Sequence, residues 1–154
     1  MEFTDIKPGQ VIKIYSHLES KEIERSWMAI FCKNKTGLNT KDYKWHIFSG
    51  GGYPSLEADE AQEAYESHVS AKYVVMPNNG EPALLTDERP SNLNYYDVYV
   101  FPENMAWTMA FTHEEGWLGP YFAKHPSYTQ LEKENEKYKE KLKQIEIARN
   151  RGWM

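Results

Sequence analysis

Residues 105–122, MAWTMAFTHEEGWLGPYF, constrain the fold more than any other stretch of this chain. From 105 to 113 the side chains alternate. Met105, Trp107, Met109, Phe111 and His113 fall on one side, and Ala106, Thr108, Ala110 and Thr112 on the other. That period of two predicts a strand covered on both faces, with another element packed closely against the small side. Glu115-Gly116 turns the chain, and WLGPYF (117–122) predicts a return strand, completing a hairpin. Pro120 has no amide donor, so the return strand is expected at a sheet edge or with a bulge. His113 and Glu114 close the apolar row, where a site would open.

The flanking sequence builds a sheet around this hairpin. VIKIY (11–15) predicts a short first strand, and Ser16 caps a helix through SHLESKEIERSWMAIFCKN, whose Ile23, Trp27, Ile30 and Phe31 share a face. KTGLNT (35–40) reads as a loop, YKWHIF (43–48) as a strand and SGGGYP (49–54) as a break. Ser55 reads as the N-cap of a second helix, SLEADEAQEAYESH, with acids in its first turn. AKYVVM (71–76) and PALLT (82–86) flank Asn79-Gly80, a hairpin signal. YYDVYVF (95–101) is rich in β-formers. The expected fold is α+β: an antiparallel meander sheet of about five or six strands with three helices, the last a long C-terminal helix. Residues 1–126 are expected to form one α+β domain and 127–154 a helical extension.

That last helix carries a seven-residue pattern. With Tyr128 at position a, the a sites are Tyr128, Asn135, Leu142 and Arg149, and the d sites are Leu131, Tyr138 and Ile145. In a parallel pair Glu134 would face Lys139 and Lys141 would face Glu146. Two readings stand: a homodimer joined through 127–149, or one amphipathic helix laid on its own sheet, on the small-residue face of 106–112.

Charge and composition exclude several classes. The net charge of −5 argues against a nucleic-acid binder and against attraction to anionic membranes. No window approaches the roughly 18 apolar residues of a membrane span, and no basic-then-apolar leader opens the chain. The single Cys32 falls in a helical apolar pattern, which predicts a buried thiol in a reducing cytoplasm and no cofactor or zinc cluster.

Candidate chemistry centres on His46, His113 and Glu114. A histidine beside a carboxylate is a general base, and two histidines with a carboxylate are a metal set. They would need to meet in an aromatic cleft with Trp45, Trp107, Trp117 and Tyr121. The zinc-protease pattern is absent, because position 117 is Trp. The blander reading makes both histidines structural. Gly50-Gly51-Gly52 is no phosphate loop, since no Lys-Ser/Thr follows and the next helix opens with Glu57, Asp59 and Glu60. The 11 Tyr and 5 Trp residues suit an interface, and Tyr95, Tyr96, Tyr99 and Trp153 are candidates for exposure. The alternative is that they fill the two sheet faces.

Several of these residues carry a resemblance. Trp45-His46-x-Phe48-Ser49, Asp97-Val98-Tyr99-Val100, Trp107-Thr108 and Thr112-His113-Glu114-x-Gly116-Trp117-x-Gly119-Pro120-Tyr121-Phe122 resemble a family of small bacterial proteins grouped as a domain of unknown function. The likeness spans about 20–123 and implies a single α+β domain. It implies no activity for any residue. Small acidic bacterial domains of this kind also resemble immunity proteins that neutralise toxins. The leading expectation is therefore a non-enzymatic module that binds a basic protein partner such as a toxin. Its contacts would be aromatics and the acidic residues Glu57, Asp59, Glu60 and Glu63. The alternatives are a hydrolase or metal-dependent enzyme using His46, His113 and Glu114, and the homodimeric scaffold.

Overall fold

The computed structural model describes residues 11–33, 43–91, 93, 96–114 and 117–150. The expected loop at 35–40 and the Glu115-Gly116 turn lie outside the described residues. β1 (Val11–Ile14), β2 (Leu56–Glu57), β3 (Tyr73–Pro77), β4 (Leu84–Thr86), β5 (Val98–Pro102), β6 (Trp107–Phe111) and β7 (Tyr121–Lys124) form one antiparallel sheet. Its order is β1-β4-β3-β5-β6-β7-β2. The helices are α1 (His17–Phe31), α2 (His46–Ser49), α3 (Ala58–Ser67) and α4 (Tyr128–Asn150). The α+β class and the long last helix are as expected. The described residues hold seven strands and four helices, more than the five or six and three foreseen.

The alternation in β6 divides the interior. Trp107, Met109 and Phe111 enter one apolar core, and Ala110 enters the other. Thr108 on the small face accepts a hydrogen bond from Trp27 Nε1 at 2.9 Å. The close neighbour of the small face is thus α1, and not the C-terminal helix. Helices α1 and α2 cover that side, while α3 and the first turns of α4 cover the side of Trp107. The alternation fails before β6. Met105 has φ 57, which flips it onto the α1 side and puts Ala106 beside Trp107. It fails again beyond Phe111, where the strand ends and His113 leaves the row.

Two further expectations are corrected. Residues 43–48 are a turn and the short α2, not a strand. Lys44 N donates to Asn78 Oδ1 at 3.0 Å and Trp45 N donates to the Tyr99 hydroxyl at 2.8 Å, so side chains take the donors that a ladder needs. The turn also lets Trp45, Ile47 and Phe48 enter the same core, which alternation forbids. The second helix starts at Ala58 rather than after Ser55, because Leu56 and Glu57 pair with Phe122 and Tyr121 as β2. Ala58 makes the switch at φ 56, and its N–H donates to Pro120 O at 2.9 Å. The edge position expected for the return strand is also corrected: β7 pairs on both sides, with β6 and with the two-residue β2, which is the edge, and Pro120 needs no ladder donor because it lies just before β7.

Ser16 caps α1 with a reciprocal box to Glu19. In α4, Tyr128 and Leu131 pack on the core of Trp107 and Phe122, and Glu132 and Asn135 are buried. Leu142 and Ile147, further along, are exposed. Among the described residues no helix is long and apolar enough to cross a membrane.

Candidate functional site

Three segments converge at one end of the sheet because β3 and β6 flank β5. Pro77, Val98 and Phe111 lie side by side in register, so Asn78, Asp97 and His113 emerge together. Asp97 is the hub. Its Oδ1 accepts from Trp45 Nε1 at 2.8 Å and from His113 N at 3.1 Å, and both its oxygens lie 2.9 Å from His113 Nδ1. Tyr99 donates its hydroxyl to Asn78 Oδ1 at 2.8 Å, and Asn78 N donates to Asp97 O at 3.0 Å. The segment 43–49 is tied across the sheet end by these bonds.

His46 and His113 do meet the same aromatic pair. Tyr43 lies 4.9 Å from the His113 ring and 5.5 Å from the His46 ring, and Trp45 lies 6.0 Å and 4.5 Å from them. Tyr121 stacks on Trp45 at 6.4 Å. Glu114 Oε1 is 3.8 Å from His113 Nε2. Asp97 accepts the hydrogen bond from Nδ1–H, which leaves Nε2 as the unprotonated nitrogen of the neutral ring. Among the described residues, however, no group of three His, Cys, Asp or Glu side chains is placed to hold a metal ion, so His46, His113 and Glu114 are not a ligand set.

The aromatic candidates separate. Trp107 is fully buried on the opposite face, stacked on Phe122 at 5.4 Å, and takes no part in this cleft. Trp45 is also fully buried, which leaves its ring no surface for a partner. Tyr99 is buried and Tyr96 exposed, while Tyr95 and Trp153 lie outside the described residues. Trp117 is the opposite case at 86% exposed. Its loop runs into Pro120, which is bonded to the start of α3. Glu57, Asp59, Glu60 and Glu63 are all exposed there. Burial raises the Tyr121 phenol above its ordinary value, and Glu57 and Glu114 add to that by their negative charge. The two carboxylates therefore flank Tyr121 from different segments.

A family model described as a domain of unknown function, DUF4275, matches residues 13–122. The chain belongs to that family. No curated protein and no solved structure matches it. The DUF4275 span contains the Asp97 hub, Trp45, His113 and Trp117, and it stops before α4. Sequence reasoning reached Trp45, His46 and His113 but gave Asp97 no role. Its one signal was a carboxylate set directly before a run of β-formers.

Proposed function

We propose that this protein is a non-enzymatic binding module of inhibitor or immunity type, engaging a basic protein through the surface around Trp117. The exposure of Trp117 carries the reading. An indole held in solvent beside a Gly-Pro turn exposes apolar area, and Trp is the residue most enriched among binding hot spots. Trp117 N donates to Glu114 O, the exposed Glu57, Asp59, Glu60 and Glu63 belong to the segment whose Ala58 N–H bonds to Pro120 O, and the net charge of −5 steers a basic partner toward this side. The test is complex formation with the product of the neighbouring gene. Trp117→Ala is expected to weaken the complex by about 2 kcal/mol, roughly thirtyfold in Kd. Equal binding by Trp117→Ala and by a Glu57→Lys, Asp59→Lys double variant rejects the surface.

A second reading rests on the Asp97–His113 pair. A carboxylate that fixes the tautomer and leaves Nε2 unprotonated is the orienting half of a general-base hydrolase. It makes Asp97 the group that would hold the imidazolium, with Glu114 Oε1 3.8 Å from the Nε2 that would receive the proton.

A further inference from the structure

A groove of about 480 Å³ runs along the β2 edge of the sheet. One wall is the segment from Tyr53 to Leu56, and the other is the end of β7 with Pro126. The volume lies within the range of sites for small organic ligands. The groove is held open from both cores. Tyr53 packs edge-on against Phe31 at 5.3 Å and Phe48 at 6.2 Å, and its hydroxyl donates to Lys124 O across the base. Phe122 is fixed on the other side by its stack on Trp107.

Charge is sorted across this edge by the pleat. Leu56 pairs with Phe122 on the groove face, while Glu57 pairs with Tyr121 on the other face. The groove lining holds a cation, Lys124, and no carboxylate. Lys124 Nζ sits 4.6 Å above the Tyr128 ring, which positions it, and the Glu132 carboxylate on α4 feels its charge without forming an ion pair with it. Among the described residues the ion pairs do not include Lys124. An apolar trough ending in a positioned ammonium is complementary to an apolar molecule with an anionic end.

We propose that this groove binds a small amphiphilic carboxylate, with its apolar body against Leu56, Phe122 and Pro126 and its carboxylate on Lys124. The proposal is independent of the basic-partner reading. That reading concerns the Trp117 surface and calls for the opposite charge. The experiment titrates octanoate into the full chain by calorimetry, with octanol and octylammonium as the neutral and cationic counterparts. Octanoate is expected to bind one-to-one and more tightly than octanol, and octylammonium not to bind. Lys124→Met keeps the stem and removes the charge. It is expected to weaken octanoate about fivefold and to leave octanol unchanged. Leu56→Trp fills the trough and is expected to abolish both. Lys124 is on the surface, so its variant folds and carries the test alone if Leu56→Trp does not fold. No binding of octanoate, equal binding of octanoate and octylammonium, or an unchanged affinity in Lys124→Met overturns the proposal.

Discussion

Asp97 sits where donors from two distant segments meet. Its partner Trp45 is 52 residues away and His113 is 16 away, spacings that no periodicity reveals. This is why the sequence located the aromatic and histidine candidates without the carboxylate that joins them. The same contacts give the pair a structural role that competes with a catalytic one, and two substitutions separate them. Asp97→Ala strands the buried Trp45 Nε1, and is expected to lower the unfolding free energy by about 2 kcal/mol. His113→Gln alters an exposed ring and is expected to cost about 1 kcal/mol or less. Urea denaturation measures both, and a panel of ester and amide substrates is assayed beside it. If the pair is a pin, neither variant changes a hydrolysis rate. A rate in the parent chain that falls a hundredfold or more in His113→Gln makes it a general base.

At the scale of elements, the legible parts were those whose cause is local. The capped α1, the β3–β4 hairpin at Asn79-Gly80 and the β6 alternation each arise from neighbours in sequence. The segment 43–48 was misread because its aromatic residues favour strands, while its course is decided by Asn78 and Tyr99, 34 and 54 residues away. The docking of α4 is also non-local. His68 Nδ1 donates to Ala64 O at 2.6 Å and its Nε2 accepts from the Tyr128 hydroxyl at 2.7 Å, while Glu132 Oε1 takes the Asn135 amide at 2.6 Å. Burial lowers the His68 pKa from its ordinary 6.5 and raises that of Glu132 from its ordinary 4.5. The two have opposite signs. The His68 contribution is whole above 6.5 and is lost as pH falls through its folded value. The Glu132 contribution is whole below 4.5 and is lost as pH rises through its folded value. Glu132→Gln keeps the acceptor for Asn135 and removes the buried charge. Its melting temperature is expected to exceed that of the parent at pH 7 and the gap to close toward pH 4. A variant less stable than its parent at pH 7 would mean that the positive charges of Lys139 and Lys124 outweigh burial.

For the whole molecule the decisive feature is a single sheet with an apolar core on each face. α1 and α2 close one core, and α3 closes the other only with help from Tyr128 and Leu131 of α4. The sequence pattern divided the chain at 126/127 and offered a coiled-coil seam through 127–149. The a and d residues of its first half, Tyr128, Leu131 and Asn135, now face the chain's own sheet, whereas Leu142 remains exposed. A dimer along the full seam would have to strip these residues from the core beside Trp107. Two truncations distinguish the readings. A chain ending at Lys141 keeps the packed half of α4, and is expected to melt with an unfolding free energy within about 1 kcal/mol of the parent. A chain ending at Pro126 uncovers Phe122 and Trp107, and is expected to lose about 3 kcal/mol or more, because two large side chains no longer cover that face. Sedimentation of the full chain is expected to give the mass of one copy. A two-copy mass that falls to one on ending at Lys141 would instead place the dimer contact on Leu142 and Ile145. Full stability in the chain ending at Pro126 would make the helix an appendage, as the bare division of the sequence supposes.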